Sequence, residues 1–180
     1  MNRTETGFEG LVILSPQVFE DERGLFYESW REVDYKSLGI HESFVQDNIS
    51  CSNKNVLRGL HYQNRQGQLV TVIEGEIFDV VVDLRPSSKT YKQYFSITLD
   101  ANNPQQLYMP PGFAHGFCVL SDKAIFHYKC TQYYDPKHES GIIWNDPDLN
   151  INWPLDVSFT QSARDQAFPS FRDWELQESE

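Results

Sequence analysis

Two stretches of the chain interrupt apolar, strand-like sequence with groups that hold anions or move protons. The first runs from Gln46-Asp47-Asn48 to Val56-Leu57-Arg58-Gly59-Leu60-His61-Tyr62-Gln63. An imidazole, with an unperturbed pKa of about 6.5, accepts a proton near neutral pH. Arg58 places an anion-binding guanidinium close to it in sequence, the pairing expected where a phosphorylated substrate meets proton transfer. The second stretch, Pro110-Pro111-Gly112-Phe113-Ala114-His115-Gly116-Phe117, is a tight turn that delivers a histidine to the start of an apolar strand. A single histidine in a β-protein reads first as a hydrogen-bonded core residue, and His115 keeps that reading. Tyr128, Tyr133 and Tyr134 share one further strand, where alternation puts Tyr128 and Tyr134 on one face with Cys130 and Gln132. Such rings fill cores, but a phenol opposite a histidine is also the proton donor needed to invert a carbon. Arg23, in Asp21-Glu22-Arg23-Gly24, is a second phosphate candidate, against the plainer reading of a solvated turn charge.

Other chemistries fit poorly. The five histidines, at 41, 61, 115, 127 and 138, include no HxH, HxxxH or HExxH spacing, which argues against a catalytic metal. No GxGxxG fingerprint implies a dinucleotide, so no cofactor is expected. With 15 Lys and Arg against 26 Asp and Glu, the formal charge of -11 opposes broad contact with nucleic acid or an anionic membrane. It still permits a few arginines to hold a diphosphate. Three widely spaced cysteines read as reduced thiols of a cytoplasmic protein, and Leu11-Val12-Ile13-Leu14 is too short for a signal or membrane segment.

The elements that must position these groups are mostly strands. Apolar runs at Leu69 to Val72 and Ile77 to Leu84 flank Glu74-Gly75-Glu76, a turn of hairpin type. Tyr94 to Leu99 alternates, with Phe95, Ile97 and Leu99 on one face. Gln106 to Met109, Gly116 to Leu120 and Ala124 to Tyr134 continue the pattern. Helices are expected only at Ser29 to Ser37 and Ser162 to Ala167. No repeat or linker divides residues 1–180, so a single all-β jelly roll of two sheets, with a few short peripheral helices, is expected, and its interior is the place for a small ligand.

The blocks DERGLFYESW, FVQDNISCSNKNVLRGLHYQ, GEIFDVVVDLR, PPGFAHGF, YKCTQYY and WNDPDLNINWP stand in the order and approximate spacing of the dTDP-4-dehydrorhamnose 3,5-epimerase family. The resemblance runs from about Gly10 to Asp165. It implies a cupin-type fold, a homodimer, no metal and a nucleotide-diphosphate sugar substrate, a 4-keto-6-deoxyhexose. Carried over, His61 resembles the general base, Tyr128 the acid on the opposite face, and Asp165 the carboxylate that orients the histidine. Asp79 matches a second site carboxylate. Arg23, Glu28, Gln46, Asn48, Arg58, His115 and Tyr134 fall where the family contacts sugar, diphosphate and base, some of them from the partner subunit.

The sequence departs from the family after Gln63, where the loop is shorter and Gln66-Gly67-Gln68-Leu69-Val70 stands in place of QGKLV. Gln68 therefore replaces a lysine that the resemblance places at the C4 oxygen. This leaves open a one-centre epimerase on a related nucleotide sugar, and, from another class, a noncatalytic nucleotide-sugar-binding module. Strict strand alternation also sets Arg58 and His61 on opposite faces, so a bulge or strand end must intervene if both serve one site.

Overall fold

A computed structural model describes residues 1–154 and 158–178. In chain order the elements are β1 (Asn2–Glu5), β2 (Val12–Ser15), β3 (Phe19–Asp21), β4 (Gly24–Phe26), α1 (Glu32–Ser37), β5 (Gln46–Asn53), β6 (Leu57–Gln63), β7 (Gln68–Glu74) and β8 (Glu76–Asp83). There follow β9 (Tyr94–Asp100), β10 (Gln106–Met109), β11 (Phe113–Val119), β12 (Lys123–Cys130), β13 (Glu139–Gly141), α2 (Ala163–Gln166) and α3 (Phe171–Gln177). One sheet has the order β1-β2-β10-β7-β12-β5, the facing sheet β13-β6-β11-β8-β9, and β3 and β4 form a separate two-stranded ribbon. This is the double-sheet jelly roll expected from the sequence.

The main core lies between the sheets, where Val70, Val72, Leu107 and Phe126 of one meet Ile77, Val81, Leu99 and Phe117 of the other. Strand β8 reads as a continuous apolar run because both its faces are covered. Ile77 and Val81 enter that core, whereas Val80 and Val82 join Phe171 and Trp174 of α3 behind the second sheet. On the outer side of the first sheet, Tyr35 of α1 and Ile40 pack on Val12, Leu14 and Leu69. Both outer faces are thus partly roofed, which leaves the sheet interior for ligand.

Four sequence expectations need correction. Glu74-Gly75-Glu76 turns the chain, but β7 and β8 do not pair as a hairpin; they part into different sheets. Gly75 has φ of 81° and a Cβ there would stand 2.1 Å from the Lys123 carbonyl oxygen, so the turn is a crowded corner whose strands meet through their side chains. The first helix begins at Glu32 instead of Ser29, because Trp30 is drawn aside onto Tyr35 and Phe44, with ring centroids 4.3 and 4.8 Å away. Strand β12 stops at Cys130 instead of Tyr134, since Thr131 turns to Gly67, accepting its N–H at 2.8 Å and donating to its carbonyl at 3.0 Å. Helix α3 was not expected, although Ser170 caps it by accepting from the Asp173 N–H, and Phe171 and Trp174 share its buried side.

Asp83, at the end of β8, binds the following turn. It accepts from Arg85 Nε and Nη2 at 2.8 Å each and from the hydroxyls of Ser88 and Thr90 at 2.6 Å each. Burial opposes its charge, but these bonds prevail and hold the carboxyl down to about 2. A folded pKa below the unfolded value of about 3.9 adds stability that is present above pH 4 and fades as pH falls toward 2. Asp83→Asn is expected to lower unfolding free energy by about 2 to 3 kcal/mol at pH 7, with a smaller deficit near pH 3. Urea titrations at the two pH values check this, and an equal deficit at both contradicts it.

Candidate active site

The placement of Arg58 and His61 depends on a bulge. Gly59 and Leu60 of β6 together stand opposite Gly116 of β11, between the pairs Arg58↔Phe117 and His61↔His115. The extra residue brings Arg58 and His61 back to one face, and both line a cavity of about 320 Å³ between the sheets. Gly59 has φ of 110°, and a Cβ there would stand 2.6 Å from Gly116 Cα. Only glycine fits.

Residues 161 to 165 clasp this bulge. Asp165, in the single turn of α2 capped by Ser162, accepts the Gly59 N–H on Oδ2 at 3.0 Å and holds His61 Nε2 on Oδ1 at 3.0 Å. Gln161 donates to the Gly59 carbonyl at 3.1 Å. Burial works against the charge on Asp165, but His61, the Gly59 N–H and the Ser162 hydroxyl outweigh it and keep the carboxyl below its ordinary value. An ionised carboxylate only accepts, so Nε2 of neutral His61 carries the hydrogen and Nδ1 keeps the lone pair.

A second histidine–carboxylate pair lies on the neighbouring strands. His115 meets Asp79 of β8 at 2.9 Å, and Asp79 is fully buried beneath it. The plain reading of His115 as a held core histidine and its place on the cavity wall are therefore both correct. Asp79 touches the cavity only through His115.

Tyr128 lines the cavity from β12, in the opposite sheet from His61. Burial pushes its phenol above the ordinary value, and a smaller opposing pull comes from Arg58. The phenol is therefore protonated at neutral pH and can donate. Gln46, Asn48, Gln68 and Tyr134 line the same cavity, with Gln46 donating to Asn48 at 3.0 Å and accepting the Tyr134 N–H at 2.9 Å. Tyr134 arrives from beyond the end of β12, not by alternation along it.

Arg23 and Glu28 are not brought to this cavity. Arg23 sits at the tip of the β3–β4 ribbon, paired with Asp21, and Glu28 lies 3.7 Å from Arg31. The sequence reading missed Glu139, Gln63 and Gln66, which line the cavity, and Arg164, which binds Glu139 at 2.6 Å. Arg164 had a signal, because the turn that presents Asp165 also carries its neighbour to the rim. Glu139 had none; Lys137-His138-Glu139-Ser140 has no periodicity to assign it a face. Among the described residues, no three His, Cys, Asp or Glu side chains converge as metal ligands.

A jelly roll with a carboxylate-backed histidine on one wall and a protonated tyrosine on the other defines an acid–base site for inverting a carbon. The comparisons with known proteins agree: the family model described as dTDP-4-dehydrorhamnose 3,5-epimerase matches residues 5–173, and the chain belongs to that family. The dTDP-4-dehydrorhamnose 3,5-epimerase of Escherichia coli is 48% identical over 170 residues, covering 92% of each chain. That of Pseudomonas aeruginosa is 46% identical over 176 residues, covering 96% of this chain and 97% of its own. The crystal structure of the Legionella pneumophila dTDP-6-deoxy-D-glucose-3,5-epimerase, in complex with dTDP-4-keto-L-rhamnose, superposes with a TM-score of 0.92 at 48% identity, over 97% of this chain and 96% of that one. The fold is the cupin-type jelly roll of these epimerases.

Proposed function

We propose that the protein epimerises dTDP-4-dehydro-6-deoxy-D-glucose at C3 and C5 to dTDP-4-dehydro-L-rhamnose. The observation that carries this reading is the facing of His61 and Tyr128 across one cavity from opposite sheets. A hydrogen next to the C4 ketone is acidified because its removal gives an enolate. His61 Nδ1 takes that proton, and Asp165 stabilises the imidazolium formed. Tyr128 then delivers a proton to the other face of the carbon, and the ketone returns with the centre inverted. Arg58, in the cavity, supplies a cation for the diphosphate, with Gln46, Asn48, His115 and Tyr134 around the sugar and base.

The ribbon supports a homodimer. Phe19, Leu25 and Phe26 are 55%, 49% and 64% exposed on it, apolar surface of the kind that subunit contacts cover. Arg23 at its tip and the nearby Glu28 would then serve the partner's cavity. Three unpaired cysteines fit a reducing cytoplasm.

Incubation with the dTDP-4-keto sugar in D₂O is expected to place deuterium at both C3 and C5 of the product, located by NMR. No incorporation at either carbon would refute the proposal. A second reading, inversion of one centre, is favoured by Gln68, whose neutral amide on the cavity wall is a weaker donor to an enolate than an ammonium. Deuterium at one carbon alone establishes that reading.

A further inference from the structure

The amide of Gln68 is held in an orientation that it would not choose alone. Its Nε2 donates to Gln66 Oε1 at 2.9 Å, and Gln66 Nε2 donates to the backbone carbonyl of Gln132 at 3.0 Å. Gln68 Oε1 is buried and accepts no hydrogen bond. A buried, unaccepted carbonyl is unfavourable, and a free amide relieves it by turning over.

Gln68 cannot turn over, because the chain of amides runs one way. A backbone carbonyl only accepts, so Gln66 must give it Nε2 and show Oε1 to Gln68. Reversing Gln68 sets two carbonyl oxygens against each other. The Gln132 carbonyl is itself fixed, since Thr131 is bound to Gly67 through both its N–H and its hydroxyl. Residues 66 to 68 and 131 to 132 therefore act as one unit at the cavity edge, with Gln66 and Gln68 both on the wall. Nε2 carries two hydrogens, and Gln66 takes one.

We propose that Gln66 is a positioning residue that fixes the amide of Gln68 with its N–H side toward the cavity, where the second hydrogen binds the substrate oxygen on which negative charge develops. This rests on the epimerase reading above. The fold thereby extracts a dependable donor from a side chain that is as much acceptor as donor. A lysine at position 68 needs no such help, because an ammonium has only donors.

The difference supplies the test. In the native background, Gln66→Met is expected to lower kcat about five- to tenfold, the scale of one hydrogen bond, with KM changed less than about twofold. In a Gln68→Lys background the same substitution is expected to change kcat less than about twofold, since no amide remains to be oriented. Gln68→Leu serves as a second background, in which the donor is already gone and Gln66→Met again adds nothing. A structural role for Gln66 lowers activity equally in all three backgrounds, and that result overturns the relay. Solvent deuterium exchange by the native enzyme separates the two failures. Without exchange the epimerase reading fails and the relay with it, whereas intact exchange with equal sensitivity in every background removes the relay alone.

Discussion

Replacement of His61 by alanine is expected to lower turnover by about 10² to 10⁴, the scale of a lost positioned base, while leaving the fold in place. The fold should survive because the imidazole side chain is 39% exposed at the cavity wall, and because Asp165 keeps its bond to the Gly59 N–H after the ring is gone. The clasp on the bulge thus persists without the histidine. Asp165→Asn attacks the same step differently, since an amide can present a donor to Nε2 and reverse which ring nitrogen carries the hydrogen. Steady-state kinetics with the melting temperature as control decides the matter. A His61→Ala enzyme of native activity removes the imidazole from the mechanism.

The second large effect is expected from Tyr128→Phe, and it separates two events that normally go together. The aromatic ring remains and keeps its contact with Phe126, 5.6 Å between centroids, so packing changes little. The base on the opposite wall is untouched. Removal of the substrate proton and its return from the same side can continue, so deuterium from solvent still enters the sugar. Product with inverted configuration should fall by about 10² or more, because in the proposed mechanism the phenol delivers the proton to the other face. Parallel NMR measurement of exchange and of inversion checks this. A proportional fall in both would mean that His61 and Tyr128 do not divide the faces between them.

Much of this site was legible in the sequence, for physical reasons that differ from residue to residue. Alternation gave the inward face of β9, because period-two burial is a property of the strand itself, whereas β8, covered on both sides, reads only as an apolar run. The Pro110-Pro111-Gly112 turn marked the entry of His115, with Gly112 at φ of 97°. The conflict between Arg58 and His61 pointed to an irregularity, and the bulge is there. Other features had no local signal. Whether β7 and β8 pair or face each other depends on the strands each joins, β10 and β12 for one and β9 and β11 for the other, all of which come later in the chain. The partners of His61 and His115 were separable only as members of a resemblance, since Asp165 lies far along the chain and Asp79 looks like one polar break in an apolar strand. Gln66 reaches the cavity from a loop and Glu139 from the three-residue strand β13, and neither stretch is long enough to carry a period to read.

The bulge has a consequence for how this protein can change over generations. Its extra residue leaves the Gly59 N–H and carbonyl free of the ladder to His115 and Gly116, and Asp165 and Gln161 take them up. Loss of a single codon there lets β6 pair regularly with β11, and Arg58 and the histidine still face inward on alternate positions. The carboxylate then loses the Gly59 N–H that fixes it beside the histidine. A cavity that keeps the arginine and the histidine but lacks the clasp on Asp165 is therefore one small deletion away, and the way back is an insertion that must restore a glycine at the same point.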